Sequence, residues 1–332
     1  MAGGFSTDSG IANSNKFNHK STVPPKIYRM NLNYQVPITA LIVNYNAGEL
    51  LVDCALALST QVGQIIVVDN ASTDTSLARL NDAFLNDRRL NIISLQKNVG
   101  FAAGCNLGMR EAILPYILFI NPDSLISPGA VERLKQVIES DPQTGMVGGR
   151  LLNPDGSEQG GSRRAMPTPW RAFVRATGLH RFAPCFPALL FDFHLHRQPL
   201  PNHPIEVEAI SGALMLVRRQ AIDVVGNWDE GYFLHCEDLD WCMRFRQKNW
   251  KILFVPDVSV LHFQGACSHA RPFFVAWHKH RGMLRFYRKF FLNRYPVVLT
   301  WLVATGVWMR FGMVVLYHAG ASLLKSAGFH RE

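Results

Sequence analysis

Between residues 38 and 139, short apolar runs of strand length alternate with segments of helical periodicity. The predicted strands are Ile38–Asn44, Gln64–Asp69, Leu90–Gln96 and Tyr116–Ile120, and the predicted helices are Gly48–Ser59, Thr73–Phe84, Ala102–Ile113 and Pro128–Glu139. Ser72 and Ser127 are the predicted N-caps of the second and fourth helices. This regular alternation predicts an α/β fold with a mostly parallel central sheet.

Polar side chains follow three of the predicted strands directly. Asn44 ends the first strand, Asp69 and Asn70 end the second, and Asn121-Pro122-Asp123 follows the fourth. Ligands of parallel α/β sheets bind beyond the carboxyl ends of the strands, so these residues are predicted to line one site. A carboxylate at such an edge can hold a divalent cation against a ligand's phosphates.

The turn after the first strand lacks the common nucleotide-binding motifs. Its sequence, Asn44-Tyr45-Asn46-Ala47-Gly48, does not have the G-x-G-x-x-G spacing of dinucleotide-binding folds, and the chain contains no Walker A loop. Dinucleotide-binding and P-loop proteins are therefore disfavoured. Asp69 alone is equally consistent with a helix cap, and only the neighbouring polar strand ends favour a binding role.

Composition and cysteine spacing are those of a globular protein in a reducing compartment. The chain has 332 residues, of which 48% are hydrophobic, and this suffices for a substantial core. Its six cysteines show no CxxC spacing, which favours a cytosolic location. Residues 1–33 are rich in Ser, Asn, Gly and Lys, contain no long apolar run, and are predicted to be a flexible leader.

The net charge of +9 is concentrated near the carboxy terminus, because residues 271–332 contain ten Lys or Arg and one Glu. From Lys279 to Arg294 the cationic residues alternate with aromatic and aliphatic ones in the pattern of a basic amphipathic helix. This pattern suits an anionic membrane surface. A nucleic-acid partner is disfavoured, because the apolar segment Tyr295–Leu324 that follows has no use in RNA binding.

The segment Tyr295–Leu324 is apolar enough to enter a membrane, but Arg310 interrupts it. A charge at the bilayer centre is costly unless it pairs or reaches the interface, so we expect in-plane or hairpin insertion rather than a span. A membrane span and a buried helical pair of a globular domain remain alternatives. Residues 271–332 are thus predicted to be a membrane-associating segment after a catalytic domain at residues 34–270.

Several motifs occur in the order and spacing of a known enzyme family. They are Val67-Val68-Asp69-Asn70-Ala71-Ser72-Thr73-Asp74, the glycine-rich stretch from Asn98 to Gly108, Asn121-Pro122-Asp123 and Glu237-Asp238-Leu239-Asp240-Trp241. Over residues 36–268 the chain resembles the inverting family 2 glycosyltransferases, most closely their bacterial rhamnosyltransferase-like branch. The resemblance implies a GT-A fold, a Rossmann-like sandwich that binds a nucleotide-diphosphate sugar and a divalent cation.

The resemblance also implies donor and metal contacts. The implied donor-binding residues are Val43, Asn44, Tyr45, Asp69, Asn98, Gly100, Asn106, Asn121 and Asp123. Asn121 occupies the first acidic position of the family's Asp-x-Asp motif, so the cation would depend on Asp123, diphosphate oxygens and His262. An imidazole ligand suits Mn²⁺ better than Mg²⁺, although Mg²⁺ remains possible. Cys105 and Cys267 replace a basic and a hydroxyl residue of the family pattern.

Glycosyl transfer needs a base that accepts the proton of the acceptor hydroxyl. Glu237 and Asp238 are adjacent, so on a helix they point about 100° apart and cannot act as an equivalent pair. The resemblance assigns the base to Asp238 and a supporting role to Glu237. Crowding by Glu237 and Asp240 is expected to raise the pKa of Asp238. Alternatively, these acids only stabilise the positive end of a helix.

Two segments are predicted to contact the acceptor. Residues 153–204 are irregular and rich in proline and aromatic residues, which indicates an acceptor-side loop or lid. Trp228, Asp229 and Glu230 combine an aromatic ring with carboxylates, a composition that suits sugar rings, and they precede the acids of the Glu237 motif.

The sequence therefore predicts a metal-dependent, inverting glycosyltransferase on the cytoplasmic face of a membrane. It would move a sugar, with rhamnose from dTDP-rhamnose as the favoured donor, onto a lipid-linked or growing cell-surface glycan. A catalytically silent GT-A scaffold is an alternative, supported by the departures at Asn121, Cys105 and Cys267. A sugar nucleotidyltransferase is disfavoured, because no Gly-rich basic phosphate loop occurs near Gly48.

Overall fold

The computed structural model describes residues 36–265 and 271–326, so the predicted leader at residues 1–33 and Cys267 lie outside the described residues. The strands are β1 (Ile38–Asn44), β2 (Gln64–Asp69), β3 (Leu90–Ser94), β4 (Tyr116–Ile120), β5 (Ser124–Ile126), β6 (Thr144–Leu152), β7 (Arg163–Arg164), β8 (Ile205–Glu206), β9 (Ala209–Ile210), β10 (Leu214–Arg218) and β11 (Lys251–His262). The helices are α1 (Glu49–Ser59), α2 (Ser76–Ala83), α3 (Phe101–Glu111), α4 (Ala130–Glu139), α5 (Pro169–Ala176), α6 (Arg219–Val225), α7 (Glu237–Gln247), α8 (Pro272–Phe291) and α9 (Val297–Ser326).

The central sheet contains the predicted parallel strands together with antiparallel additions. Its order is β3-β2-β1-β4-β10-β6-β11-β5, with β8 paired to β11. The first four of these strands are parallel, while β10 runs antiparallel between β4 and β6. Alternate residues of β1 enter two separate cores, Ile38, Ala40 and Ile42 on one face and Leu41 and Val43 on the other. The predicted α/β fold is confirmed.

Two helix starts, those of α2 and α4, differ from the prediction by more than one residue for local reasons. The Ser72 hydroxyl donates to Asp69 Oδ1 (2.6 Å), so it does not cap a helix, and α2 begins only at Ser76. Gly129 adopts a left-handed conformation (φ 79°) and delays the start of α4 to Ala130. Ser72 and Ser127 are therefore not the N-caps of α2 and α4.

The basic amphipathic helix forms as α8, but its apolar face packs on the protein. Phe286, Tyr287, Phe290 and Phe291 are buried in the same core as α3 and α7. The face that the sequence assigned to the membrane is thus covered by the α/β core. A boundary at residues 270/271 consequently does not separate α8 from that core.

Helix α9 is continuous through Arg310, so no hairpin turn occurs there. Its residues Val297–Gly320 are long and apolar enough, by length and composition, to cross a membrane. It contacts α8 through Trp277 and Trp308, whose ring centroids are 5.3 Å apart. Large apolar side chains elsewhere on α9, such as Trp301 (71% exposed), remain accessible, which does not fit a helical pair buried in a globular domain.

Candidate active site

The carboxyl ends of β1 and β2 place Asn44 directly beside Asp69. The Asn44 side-chain amide donates to Asp69 Oδ1 (2.8 Å), and the Ser72 backbone N–H donates to Asp69 Oδ2 (3.0 Å). These bonds hold the Asp69 carboxylate in one orientation at the sheet edge. Asn44 is fully buried and its carbonyl oxygen accepts from the Asn70 N–H (2.8 Å), so this predicted donor-binding residue has protein partners in the structure.

The loop after β3 is held against the segment that precedes α7. Gly100 has φ +90°, and a Cβ atom there would lie 2.6 Å from the Phe233 carbonyl oxygen. The Asn70 side chain fixes the same loop by accepting from Val99 N (3.1 Å) and donating to Gly100 O (3.1 Å). Asn98 accepts from the Gly100 N–H (2.9 Å). Gly100 therefore determines where the predicted donor loop meets the catalytic segment.

The antiparallel pairing of β5 with β11 brings His262 to Asp123. His262 is opposite Ser124 in this pairing, and its Nε2 lies 3.2 Å from Asp123 Oδ1. The Asn121 side-chain nitrogen lies 3.3 Å from the same Nε2. Asp123 and His262 are both nearly buried, at 5% and 6% exposure. The structure thus places three residues of the predicted metal and donor site in contact.

Gln159, which the sequence did not single out, orients this histidine. Its Nε2 donates to the His262 carbonyl oxygen (2.7 Å), so its Oε1 faces His262 Nδ1 (2.8 Å) and accepts the ring proton. In this tautomer the Asn121 amide donates to the lone pair of His262 Nε2 (3.3 Å), and the same nitrogen lies 3.2 Å from Asp123 Oδ1. Both Nε2 and Oδ1 are acceptors, and a cation coordinated by both would relieve their repulsion.

The donor set of this pair fits a divalent cation. One imidazole nitrogen and one carboxylate oxygen suit Mn²⁺, and Asp123 and His262 would hold the ion. Within residues 36–265 and 271–326, no group of three or more His, Cys, Asp and Glu side chains is arranged to bind a metal alone. The remaining ligands would therefore come from the substrate and water. When bound, such a cation neutralises charge on a departing diphosphate.

We predict that Gln159→Leu weakens binding of Mn²⁺ about 10- to 100-fold, the range for loss of a partner behind a metal-bound histidine. The Leu side chain fills a similar volume but leaves His262 Nδ1 without its acceptor. Mn²⁺ affinity is measured by calorimetry in the presence of the bound nucleoside diphosphate, with His262→Ala setting the lower limit. Unchanged affinity in Gln159→Leu, together with loss in His262→Ala, would contradict the role of Gln159.

A strained turn leads into α7 and positions its acids. His235 and Cys236 both have positive φ, 68° and 71°, which non-glycine residues rarely adopt. A Cβ atom on Gly282 of α8 would lie 2.7 Å from the His235 carbonyl oxygen. Close packing of α8 therefore supports the turn, and Glu237 and Asp238 follow it as the first residues of α7.

Asp238 is held by an ion pair with Arg164, a residue of β7. The Arg164 guanidinium donates to Asp238 Oδ2 and to the Ile210 carbonyl oxygen (3.1 Å). The backbone N–H groups of Leu239 (2.8 Å) and Gly212 (3.4 Å) donate to the same carboxylate. The carboxylate is only 15% exposed, so its orientation depends on these three donors, Arg164 and the two backbone N–H groups.

The charge environment of the two acids differs from the expected one. Burial would raise the pKa of Asp238, but the charge and hydrogen bond of Arg164 outweigh it and hold that pKa below its ordinary value. Burial, followed by the charge of Asp238, instead raises the pKa of Glu237. The expectation that crowding raises the pKa of Asp238 is therefore wrong, because Arg164 was not foreseen.

We predict that Arg164→Gln shifts the acid limb of the pH profile of kcat/KM upward by roughly one to three pH units. The base must be ionised, and removing the guanidinium leaves burial unopposed, so the pKa of Asp238 rises. Activity then falls most at low pH. Arg164→Lys, which retains the charge, should shift the limb less. An equal loss at every pH in both variants would indicate that Arg164 only supports the fold.

One turn, residues 211–213, contacts both Asn121 and Asp238. Asn121 N donates to the Ala213 carbonyl oxygen (3.2 Å), while the N–H of Gly212 donates to Asp238 Oδ2. A Cβ atom on Gly212 would lie 3.5 Å from Asp238 Cβ, an ordinary van der Waals contact. This turn therefore links Asp238 to Asn121, whose side chain contacts His262.

Three residues that were predicted to bind substrate contact other protein groups in the structure. Trp228 is 2% exposed and packs edge-on against Phe119, with ring centroids 5.3 Å apart. The Asn106 amide bonds both the backbone N–H and the carbonyl of Trp228 (3.0 Å each), so it holds that turn instead of reaching the donor. Glu230, which accepts from Asn106 Nδ2 (2.8 Å), keeps an exposed side chain.

The Asp229 carboxylate forms ion pairs with helix α8. Arg285 and Lys289 each donate to this carboxylate at 2.7 Å. Burial opposes ionisation, but these hydrogen bonds prevail and lower the pKa of Asp229 to about 2. Its carboxylate therefore ties α8 to the segment before α7. Of the three predicted acceptor residues, Glu230 is the one whose side chain is exposed.

Comparison with known proteins identifies the family of the chain. Residues 39–223, more than half of the chain, match Glycosyl transferase family 2. The chain belongs to this family. The resemblance to family 2 inferred from the motifs is thereby confirmed, and the chain is a family 2 glycosyltransferase.

Two curated relatives are named rhamnosyltransferases. The N-acetylglucosaminyl-diphospho-decaprenol L-rhamnosyltransferase of Mycobacterium tuberculosis is 26% identical over 252 residues, which cover 71% of this chain and 78% of the relative. Rhamnosyltransferase WbbL of Escherichia coli is 26% identical over 182 residues, which cover 51% and 60% of the two chains.

A solved structure shows the same fold. The mannosyltransferase PcManGT of Pyrobaculum calidifontis, in complex with GDP-Man and Mn²⁺, superposes with a TM-score of 0.52 at 16% identity. The match covers 88% of this chain and 81% of that one. The predicted GT-A fold of the family 2 chain is confirmed by this likeness.

Proposed function

We propose that the protein is a metal-dependent, inverting glycosyltransferase that transfers rhamnose from dTDP-rhamnose to a lipid-linked glycan. One observation carries the proposal, namely that the turn at residues 211–213 is hydrogen-bonded both to Asn121, which contacts His262, and to Asp238. A diphosphate held at Asp123 and His262 and an acceptor hydroxyl beside Asp238 would meet at this turn. The relatives named rhamnosyltransferases support the choice of sugar.

In the proposed reaction, Asp238 accepts the proton of the acceptor hydroxyl. The oxygen forms a bond to the anomeric carbon as the bond from that carbon to the diphosphate oxygen breaks, with inversion of configuration. The nucleoside diphosphate leaves with the bonding electron pair. Arg164 keeps Asp238 ionised before the reaction, and Asp69 would orient the nucleoside at the ends of β1 and β2.

Membrane proximity supports a lipid-linked acceptor. The Mycobacterium tuberculosis relative is named for an acceptor sugar on diphospho-decaprenol. Helix α9 presents exposed apolar side chains over Val297–Gly320, and Arg281 and Arg288 of α8 are exposed to solvent. We propose that the enzyme is peripheral or monotopic at the cytoplasmic face of the membrane, with an anionic surface as partner.

The test is a transfer assay with the full chain, Mn²⁺ or Mg²⁺, and N-acetylglucosaminyl-diphospho-lipid of short chain length. dTDP-rhamnose should be converted to dTDP with a product heavier by one deoxyhexose, and the new glycosidic bond should have the inverted configuration by NMR. UDP- and GDP-sugars serve as competing donors. Release of pyrophosphate instead of a nucleoside diphosphate would overturn the proposal, as would a lack of turnover with every donor.

A further inference from the structure

A cavity of about 610 Å³ lies beside the catalytic helix, outside the site described above. Its walls come from three parts of the fold: residues 166–208, the carboxy-terminal half of α7, and the end of α8. Apolar and aromatic side chains line much of it, among them Trp170, Leu189, Phe191 and Phe291. The volume and lining suit a ligand with an alkyl or isoprenoid part.

The same cavity carries excess positive charge. It is lined by Arg171, Arg246 and Arg294, and by one acid, Glu208. Arg171 Nη1 donates to Glu208 Oε2 (2.8 Å), so that acid is already neutralised. Arg246 and Arg294 are exposed and form no ion pair within residues 36–265 and 271–320. Two free guanidinium groups therefore face a largely apolar wall, a combination that complements an anionic head group on a lipid.

The position of the cavity links the apolar helix to the proposed base. Arg294 belongs to the short connection between α8 and α9 and precedes the apolar segment Val297–Gly320 closely. Arg246 lies on α7, eight residues after Asp238, a separation of about 12 Å along the helix axis. A head group bound at Arg246 would thus have room for a monosaccharide between itself and Asp238.

We propose that this cavity binds the diphosphate and first isoprene units of the lipid that carries the acceptor sugar. The inference deepens the proposed function and rests on it for the identity of the lipid. Arg246 and Arg294 bind the diphosphate, and Trp170, Leu189 and Phe191 cover the hydrocarbon. The attached sugar then extends along α7 toward Asp238. This placement orients the acceptor hydroxyl of the sugar for transfer.

The test measures binding of farnesyl diphosphate to the full chain in detergent, with EDTA present so that no metal-dependent diphosphate site contributes. Arg246→Glu and Arg294→Glu should each weaken binding roughly 10- to 100-fold, the loss expected for one or two charge-assisted hydrogen bonds. Arg288→Glu, the same charge change at an exposed site of α8 outside the cavity, is the matched control and should retain affinity. Unchanged nucleotide-dependent thermal stabilisation shows that each variant is folded.

Two further ligands identify which part of the lipid is bound. Farnesol should bind weakly and equally to all variants, and inorganic pyrophosphate should bind much more weakly than farnesyl diphosphate. Equal affinity for pyrophosphate and farnesyl diphosphate would overturn the lipid assignment, and unchanged farnesyl diphosphate affinity in both arginine variants would overturn the site. This binding assay needs neither donor nor metal, so its result is independent of whether the transfer reaction succeeds. Asp123→Ala should therefore bind farnesyl diphosphate with the affinity of the wild-type protein.

Discussion

Asp238→Asn is expected to lower kcat about 10²- to 10⁴-fold, the usual contribution of a general base. Asparagine has the same shape and can still accept from the Leu239 N–H, but it cannot take a proton from the acceptor. Donor binding should remain, because the proposed mechanism gives Asp238 a role toward the acceptor and not toward the donor. Single-turnover rates with the lipid-linked acceptor, together with thermal stabilisation by dTDP, measure the two effects separately.

The adjacent acid provides the matched control for this variant. Burial raises the pKa of Glu237, which is therefore largely protonated near neutral pH. Glu237→Gln then replaces one neutral side chain by another of the same shape, and kcat should change far less than in Asp238→Asn. The reverse order, with severe loss in Glu237→Gln and a nearly normal rate in Asp238→Asn, would exchange the roles assigned to the two residues.

Asp123→Ala is expected to abolish the metal-dependent part of nucleotide binding and to lower kcat/KM at least about 100-fold. Charge stabilisation by a metal ion contributes several kcal/mol to such a transition state, and each 1.36 kcal/mol is tenfold in rate. The measurement is thermal stabilisation by a panel of nucleoside diphosphates with and without Mn²⁺. Wild-type protein should be stabilised most by dTDP plus Mn²⁺. In Asp123→Ala, the stabilisation by dTDP should be the same with and without Mn²⁺.

Asp257→Ala controls for the loss of an acid elsewhere on the surface. Asp257 is half exposed and pairs with Arg133 away from the sheet edge, so its removal should leave the effect of Mn²⁺ intact. If Asp123→Ala retained the full Mn²⁺-dependent stabilisation, the proposed metal ligand would be wrong. If no nucleoside diphosphate stabilised the wild-type protein, a silent GT-A scaffold would become the better interpretation.

Much of the fold and the positions of three acids follow from local sequence patterns. β1, β2 and β4 have the predicted bounds, and Asp69 and Asp123 lie at strand ends as the pattern required. Asp238 lies in the first turn of α7, next to Glu237. Such features are predictable because burying one face of a helix imposes a period of about 3.6 residues, and burying both faces of a strand requires a continuous apolar run.

The partners of these acids come from distant parts of the chain. Gln159 and His262 are separated by 103 residues, and Arg164 and Asp238 by 74. Gln159 and Arg164 lie in the irregular region at residues 153–204, where no periodicity marks either one. Only the folded arrangement of that region over β11 and α7 brings them to the site.

The amphipathic pattern of α8 also separates what the local sequence determines from what tertiary packing determines. Its period determines that one face is apolar, and this face could be buried equally well by a lipid surface or by protein. Tertiary packing decided in favour of the protein core, with Arg285 and Lys289 tied to Asp229. Sequence by itself determined the elements, the sheet edge and the acids on it, because these depend on neighbours in the chain. Tertiary structure alone decided which polar groups pair and which surfaces stay exposed, because those contacts join residues whose separation in sequence carries no signal.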